Sequence, residues 1–418
     1  MPGRRVVILN PFDPLLGEEK GEGRYAYLAR RLCENGFDVA WITSDWSHRY
    51  KRPRDRKGLS GDAASVGVRV EFVETLPYER NVSLRRLCSH TRFSRAAVRT
   101  LEGLSPQVIV VGTPPPQLAH GAVMAAHRMG AAAIVDVQDL WPDEFRRFWP
   151  AGLKWMNDLA FVRMRSAYRQ SCREADARVG VAEAYLLNAR RFGRTPHDQV
   201  VHLGVDLEAF DRAAGSGTSL LDADGDRPER ALFWGGTISS AADWPTVVDA
   251  MAVLVGEGLP CRLVVLGTGP DEEAMRGRCR RRGVENHVHF FGFQPYGTYA
   301  ATLAASDVAL NAWHPGTEVA FPNRAFEFMA AGVALVNTLG GEFGELVASQ
   351  GIGLNCPAGS VAGMADAVRL LLGDGDLRGR MGRNARRLAE ERFDRKHEYE
   401  GYLRLCETLA ASAQALKG

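Results

Sequence analysis

The stretch FPNRAFEFMAAG, residues 321–332, places one carboxylate, Glu327, inside an otherwise apolar helical segment. Proline suits the first helical position and glycine the stop after the last turn, so the stretch predicts a helix over residues 322–331. Burying an unpaired charge is costly, and we therefore expect Glu327 to have a dedicated partner. The N–H groups at the helix start and the Arg324 guanidinium form an anion site, and Glu327 lies further along, where it can bind a polyol. A diphosphate joined to a ribose has this layout.

Short runs rich in β-branched residues alternate with helical patterns on either side of this stretch. The predicted strands are 6–9, 39–43, 68–73, 108–111, 132–137, 178–181, 231–234, 263–266, 288–291, 308–310 and 334–337. The predicted helices are 25–35, 85–101, 117–129, 153–173, 244–256, 271–282, 296–304, 322–331, 359–372 and 396–416. Such alternation indicates parallel sheets covered by helices on both faces. The predicted fold class is therefore α/β, with two Rossmann-like, doubly wound halves.

The two halves define the predicted domains. A chain of 418 residues, 45% hydrophobic and 24% charged, is too long for one core and suits two globular domains. The first domain spans residues 1–205 and the second 206–395, with a Gly/Asp/Ser-rich linker or surface loop at 215–228. The last segment, 396–418, is helical, and its apolar positions suit either a cap on its own domain or packing back across the first.

Composition excludes several classes of protein. The net charge of +2 gives no reason to expect nucleic acid as a partner. Seven cysteines without a Cys-x-x-Cys pair argue against a disulfide framework and a zinc site, and they favour a reducing cytoplasm. The chain starts directly with a strand pattern, and no stretch approaches the ~18 apolar residues of a membrane span. We expect a cytoplasmic protein, with peripheral contact at the inner face of the membrane as an option.

Several segments, in order, resemble the retaining nucleotide-sugar glycosyltransferases of the family 4 type, closest to members that build bacterial O-antigens and exopolysaccharides. The similar segments are LGVDLEAF at 203–210, VLGTGP at 265–270, VHFFGF at 288–293, ASDV at 305–308, the stretch at 321–332 and GGEFGEL at 340–346. The resemblance covers nearly the whole chain. It implies the GT-B fold, in which two Rossmann-like domains face a cleft, with the acceptor on the first domain and the nucleotide sugar on the second.

The resemblance also implies roles for two glutamates. In that family the second Glu of a Glu-x7-Glu motif hydrogen-bonds the ribose, and Glu327 occupies its place. The first Glu contacts the donor sugar, but the matching position here is Val319, with Glu318 one residue earlier. We keep Glu318 as a candidate catalytic residue beside the alternative of a solvated loop charge. For Glu327 the alternative is a structural carboxylate that caps a neighbouring loop.

One family feature is absent from the loop after the first strand of the second domain. Relatives usually supply an Arg and a Lys for the diphosphate there, whereas residues 235–244 read GGTISSAADW. Backbone N–H groups of Gly235, Gly236 and Thr237 are the predicted substitutes, with Arg324 supplying the positive charge. The alternative for Arg324 is a surface arginine. Asn323 and the helix start at Gly340, Gly341 and Glu342 complete the predicted donor site.

The first domain holds the predicted acceptor side. Its loop after the first strand contains Gly21 and Gly23, followed by Arg24, where a Rossmann-like half places a ligand. Residues 136–143, DVQDLWPD, resemble the Asp-x-Trp-Pro segment of polysaccharide-type members. Many members have a histidine where this chain has Gln138, so we assign Asp139 to the donor sugar or acceptor hydroxyl. Capping of the turn before Trp141 is the equal alternative for Asp139.

Basic clusters at 49–57 and 85–99 are either solvated faces or contacts to an acceptor or an anionic membrane surface. The histidine spacing and the absence of an Asp-x-Asp pair at a strand end predict no metal and no other cofactor. We therefore predict a retaining, metal-independent transferase that moves a sugar from a nucleoside diphosphate sugar to an acceptor hydroxyl. The acceptor classes are a glycan, a lipid-linked saccharide and a secondary metabolite. The rival functions are a nucleotide-sugar epimerase and a non-catalytic nucleotide-sugar-binding partner.

Overall fold

The computed structural model describes residues 4–18, 22–80, 83–221, 229–317 and 319–415. The chain divides into two compact units: unit 1 contains residues 1–202 and 399–418, and unit 2 contains residues 203–398. The predicted boundaries at 205/206 and 395/396 each lie three residues from these divisions. Part of the predicted loop at 215–228 belongs to a helix that ends at Ser216, and residues 222–228 lie outside the described ranges.

Fifteen strands occur in the described ranges. They are β1 Arg5–Leu9, β2 Asp38–Ser44, β3 Trp46–Ser47, β4 Arg52–Pro53, β5 Val68–Val73, β6 Val108–Thr113, β7 Ala132–Val137, β8 Ala177–Gly180, β9 Gln199–Val200, β10 Arg230–Gly235, β11 Cys261–Leu266, β12 Val288–Gly292, β13 Val308–Asn311, β14 Ala334–Asn337 and β15 Gly353–Asn355. Unit 1 has a parallel sheet in the order β5-β2-β1-β6-β7-β8-β9, and unit 2 has one in the order β12-β11-β10-β13-β14-β15. Strands β3 and β4 form a separate antiparallel pair.

Seventeen α-helices accompany these strands in the described ranges. They are α1 Arg24–Glu34, α2 Arg56–Ser65, α3 Leu84–Glu102, α4 Pro116–Met129, α5 Trp155–Ala160, α6 Val162–Glu174, α7 Glu183–Arg190, α8 Leu207–Ser216, α9 Trp244–Gly256, α10 Glu272–Arg282, α11 Tyr296–Ala304, α12 Asn323–Ala330, α13 Gly341–Gln350, α14 Val361–Gly373, α15 Gly375–Leu388, α16 Arg395–Glu398 and α17 Glu400–Ala415. The alternating parallel order confirms the predicted α/β class.

Two predictions about helices need adjustment, and the structure decides between the two alternatives for the C-terminal helix. The helix predicted over 153–173 is two helices, α5 and α6, because Phe161 leaves the helical conformation between them and packs its ring against Phe145 at 5.0 Å. Helix α12 begins at Asn323, and Pro322 precedes it in an extended conformation rather than filling the first turn. Helix α17 packs in the core of unit 1, where Tyr402, Leu405 and other side chains of its apolar face are buried.

Each unit buries its own core around the central strands of its sheet, as two-sided parallel sheets require. All seven cysteines are free thiols. Within the described ranges, no helix combines the length and the apolar character that crossing a membrane requires.

Candidate functional site

The candidate site in unit 2 starts where β10 ends and α12 begins. Arg324, in the first turn of α12, is partly buried, and its Nη1 donates a hydrogen bond to the carbonyl oxygen of Gly235 at 3.0 Å. Its guanidinium also lies 4.6 Å from the ring centroid of Trp313 and 5.5 Å from that of Trp234. One carbonyl and two indole rings therefore hold this cation beside the last residue of the central strand.

The environment of Arg324 is unfavourable for a charge. Burial lowers the pKa of the guanidinium to about 10, although the nearby Tyr299 acts in the opposite direction. Arg324 is still a cation at neutral pH, but it has lost part of its hydration without full compensation. An anion placed beside it would restore that compensation.

Glu327, one turn further along α12, has two phenol groups as hydrogen-bonding partners. They belong to Tyr296 and Tyr299 of α11, whose rings stack with their centroids 6.3 Å apart. Burial raises the pKa of the Glu327 carboxyl, while the two tyrosines and the positive charge of Arg395 favour its ionised form. The expected dedicated partner exists, but it is a pair of neutral phenols rather than a cation.

Amide side chains connect the ends of three neighbouring strands near Trp313; those of Asn311 and Asn337 are buried, and Asn355 is exposed. Asn337 Nδ2 donates to Asn355 Oδ1, and Asn311 Nδ2 donates to Asn337 Oδ1, each at 2.7 Å. Asn311 Oδ1 then accepts a hydrogen bond from Trp313 Nε1 at 2.8 Å. This amide ladder fixes the indole ring on which Arg324 rests, because buried amides are costly to leave unpaired.

The glycine loop after β10 differs from its predicted role. The N–H of Gly236 donates to the carbonyl of Leu266 at 2.9 Å, and the N–H of Ile238 donates to the carbonyl of Thr268 at 3.1 Å. These donors join two neighbouring loops instead of pointing at an anion, so the prediction for the Gly236 N–H needs correction. Gly236 has a φ of 130° and is exposed together with Thr237, so the outer side of the loop stays accessible.

The remaining predicted donor residues lie at helix starts. Asn323 is exposed as the first residue of α12. Gly340 precedes α13, Gly341 is its first residue with a φ of 58°, and Glu342 follows in the first turn. The start of α13 also lies near α12, since a phenylalanine of α13 packs edge-on against Phe321 at 5.0 Å. Glu318 lies outside the described residues.

Unit 1 contains a small cavity of about 230 Å³ at the carboxyl ends of its strands, which we call the unit-1 pocket. Asp139 lines it and also caps its own turn: Oδ1 accepts from the N–H of Leu140 at 2.9 Å, and Oδ2 accepts from Trp141 Nε1 at 3.1 Å. Asp139 thus caps the turn before Trp141, which was the alternative role predicted for it, and its carboxylate also borders the cavity. The pocket is lined by Asn10, Phe12, Asp13, His48, Arg86, Pro114, Gln138, Asp139 and Trp141.

Arg24 does not have the geometry of an acceptor contact. Its guanidinium is buried and pairs with both carboxylate oxygens of Asp136, at 2.7 Å and 3.0 Å, and it donates to the carbonyl of Val201 at 2.9 Å. We correct its assignment to a structural ion pair at the start of α1, since a buried charge needs such partners. Gly23 precedes the helix as its cap, and Gly21 lies outside the described residues.

Sequence reasoning missed the side chains that hold the predicted residues in place. Tyr296 and Tyr299 are three residues apart on α11, a helical spacing that puts both on one face and was a usable signal. The asparagines that end β13, β14 and β15 were a second signal, because polar residues at strand ends of a parallel sheet meet at one edge. Across the described part of the chain, no group of three or more His, Cys, Asp and Glu side chains could hold a metal ion.

Both halves of the chain match known family models. Residues 21–204 match the family described as Glycosyl transferase 4-like domain, and residues 230–388 match Glycosyl transferases group 1. A curated relative, N-acetyl-alpha-D-glucosaminyl L-malate synthase of Bacillus anthracis, is 31% identical over 147 residues, which make up 35% of this chain and 37% of that protein. The match thus spans about a third of the length of this relative.

Solved structures share the fold over almost the full length. Anabaena HepE in complex with UDP and glucose has a TM-score of 0.69 at 16% identity, with 98% of this chain and 100% of that chain covered. Sucrose-phosphate synthase from Thermosynechococcus elongatus has a TM-score of 0.71 at 16% identity, with the same coverage. These findings define a glycosyltransferase of the GT-B fold. Within that class, the chain belongs to the glycosyltransferases of the family 4 type.

Proposed function

We propose that the protein transfers a sugar from a nucleoside diphosphate sugar to an acceptor hydroxyl with retention at the anomeric carbon and without a metal. The observation that carries the proposal is that Arg324 and Glu327 lie three residues apart on one helix. Arg324 pairs with the diphosphate, and Glu327 accepts hydrogen bonds from the ribose hydroxyls. The complex of HepE with UDP and glucose supports a donor of this class.

The chemical step follows from the charge that develops on the leaving group. The bond between the anomeric carbon and the phosphate oxygen breaks, and a bond to the acceptor oxygen forms on the same face. The acceptor proton passes to the leaving phosphate, which departs as the nucleoside diphosphate. The guanidinium of Arg324 and the N–H groups at the start of α12 stabilise this developing negative charge more than the ground state. No strong protein base is needed.

Binding of the donor tests the assignment. Thermal shifts against a panel of nucleoside diphosphates and their sugars identify the base and the sugar, because ligands of the folded state raise the melting temperature. Calorimetry then compares wild type with Glu327→Ala and Arg324→Gln, each expected to weaken donor binding about tenfold or more. Glu345→Gln, an exposed carboxylate on α13, is the matched control. Full donor affinity in Glu327→Ala would refute the site.

Product analysis separates the rival functions. Mass spectrometry of donor with an acceptor panel should detect a glycosylated acceptor and free nucleoside diphosphate in equal amounts. An altered or released sugar formed without any acceptor would favour an epimerase. Donor binding without turnover across the panel would favour a non-catalytic partner, in line with the missing Arg/Lys pair in the loop at 235–244.

We also propose peripheral contact with an anionic membrane surface through α3. The exposed side of this helix carries Arg92, Arg95 and Arg99, and Leu84 at its start is 80% exposed. These residues border an open groove of about 730 Å³. Each basic residue near an anionic surface contributes about 1 kcal/mol, so several arginines and an apolar side chain suffice for reversible binding.

Sedimentation with vesicles tests this contact. The full chain should sediment with vesicles that contain phosphatidylglycerol, and remain in solution with pure phosphatidylcholine. Arg95→Gln/Arg99→Gln should reduce sedimentation severalfold, whereas the control Arg280→Gln/Arg281→Gln removes two exposed charges from α10 in unit 2 and should not. Equal loss in both double variants would show that only overall charge matters.

A further inference from the structure

The unit-1 pocket lies next to two cations that repel each other. Arg86 lines the pocket, and its guanidinium lies 4.8 Å from the Trp141 ring centroid. Lys51 contacts His48, a lining residue, with its ammonium 3.2 Å from His48 Nδ1 and 5.0 Å from the ring centroid of Tyr78. Burial and the positive charge of Arg86 together lower the pKa of the Lys51 ammonium to about 8. Burial likewise lowers the pKa of Arg86.

The two imidazoles beside these cations are neutral and give no extra positive charge. Burial and the nearby cations lower the pKa of His48 and of His90 to about 3 in each case. Nε of Arg86 donates to Nε2 of His90 at 3.3 Å, which requires His90 to be uncharged. The rings therefore act as hydrogen-bond acceptors and packing surfaces, and they add no charge beside Arg86 and Lys51.

Two carboxylates, Asp13 and Asp139, line the pocket together with Arg86. Asp139 attracts Arg86, but its two oxygens also accept hydrogen bonds from Leu140 and Trp141. Burial raises the pKa of Asp13 to about 6, because its neighbours do not fully stabilise the carboxylate. Each of these carboxylates therefore accepts hydrogen bonds from other groups besides attracting the cations.

A second observation points to a ligand that is rich in oxygen acceptors. Gln138 lines the pocket, and its buried Nε2 has no hydrogen-bond partner among the residues that the structure describes. An unpaired buried amide donor in a native structure calls for a partner. Arg86 and Gln138 therefore present hydrogen-bond donors to one small cavity, and Lys51, in contact with the lining residue His48, adds positive potential.

We propose that the unit-1 pocket binds an anionic group of the acceptor, a carboxylate or a phosphate, through Arg86 and Gln138. This inference rests on the proposed function, because it specifies the class of acceptor for that transfer. The anion accepts hydrogen bonds from the guanidinium and the amide, and the ammonium of Lys51 stabilises it at longer range. The pocket thereby selects acidic acceptors over their neutral counterparts and orients them by the charged group.

Matched ligands that differ in charge test the proposal by calorimetry on the full chain at constant ionic strength. The probes are glucose, glucuronate, glucose 6-phosphate, L-malate and dimethyl L-malate. At least one anionic probe should bind roughly tenfold or more tightly than its neutral counterpart, as expected for a hydrogen bond to a charged group. The carboxylate and phosphate probes distinguish the two sources of the anion.

Variants of two adjacent arginines on α3 provide the control. Arg86→Gln should abolish the preference for the anionic probe, whereas Arg85→Gln, which removes an exposed charge from the neighbouring position, should keep it. Lys51→Gln should reduce the preference even if Arg86→Gln proves unstable. The proposal is overturned if no anionic probe binds better than its neutral counterpart, or if the preference survives in both Arg86→Gln and Lys51→Gln.

Donor binding in the same samples separates this proposal from the proposed function. If the wild-type protein does not bind nucleotide, that result counts against the donor site in unit 2. Intact nucleotide binding together with equal affinity for neutral and anionic probes would overturn only the anionic acceptor.

Discussion

Replacing Glu327 by glutamine should stabilise the protein while it weakens donor binding. The wild-type carboxyl is raised in pKa by burial, so the folded state binds its proton more tightly than the unfolded chain does. Its contribution to stability is therefore complete at a pH below the ordinary value of 4.5 and is lost as the pH rises through the raised pKa. At neutral pH the ionised Glu327 lowers the free energy of unfolding relative to a neutral side chain of the same shape.

The size of the effect follows from removing one imperfectly compensated charge. Glu327→Gln should raise the free energy of unfolding of unit 2 by about 1 kcal/mol at pH 7.5, a common gain from such changes. For a unit of this size that corresponds to a melting temperature higher by about 2–4 °C. The gain should vanish near pH 4, where wild type is already protonated, and donor affinity should fall about tenfold or more at pH 7.5.

Scanning calorimetry between pH 4 and pH 8 measures this difference, with Glu345→Gln as the control. Glu345 is exposed, so its variant should match wild type within about 0.5 kcal/mol at every pH. Two results would refute the reasoning. One is a melting temperature of Glu327→Gln below that of wild type at pH 7.5, and the other is a gain of the same size at pH 4 and pH 7.5.

Two further substitutions test buried side chains that stabilise unit 1 and unit 2. Arg24→Gln should destabilise unit 1 by about 3–5 kcal/mol, because it leaves Asp136 buried without its partner, and nucleotide binding measured by calorimetry should stay at the wild-type level below the melting transition. Asn337→Ala should cost about 1–3 kcal/mol by breaking the amide ladder, and weaker nucleotide binding should accompany the lower melting temperature, since the Trp313 ring loses its anchor.

The strands and helices were predictable because their periodicity is local. The apolar runs of β6, β7 and β10 appear in the sequence where the structure has them, since buried parallel strands need continuous apolar side chains. The break at Phe161 was not predictable, because it depends on a ring 16 residues earlier in the sequence. Tertiary contacts of that kind decide helix ends more often than propensity does.

The site was predictable in its charges and not in their partners. Glu327 stands out because a carboxylate in an apolar helix is expensive. Its tyrosine partners come from a different helix, α11, and only the tertiary fold brings them to Glu327. Arg24 shows the reverse error: a charge beside a glycine loop suggested a ligand, whereas its partner Asp136 lies 112 positions further along the chain.

Arg324 in unit 2 and Arg86 in unit 1 have similar surroundings. Each guanidinium lies within 5 Å of a tryptophan ring centroid, and burial lowers the pKa of each. A carboxylate in contact with Arg324 would remove this cost, but it would also compete with a bound anion for the same hydrogen bonds; beside Arg86, the oxygens of Asp139 also accept from Leu140 and Trp141. Aromatic rings hold a cation in place without competing in that way, because they occupy its faces and leave its N–H groups at the edge. Binding of an anion therefore offsets the desolvation cost of each guanidinium. For this reason each of the two proposed binding sites contains one of these arginines.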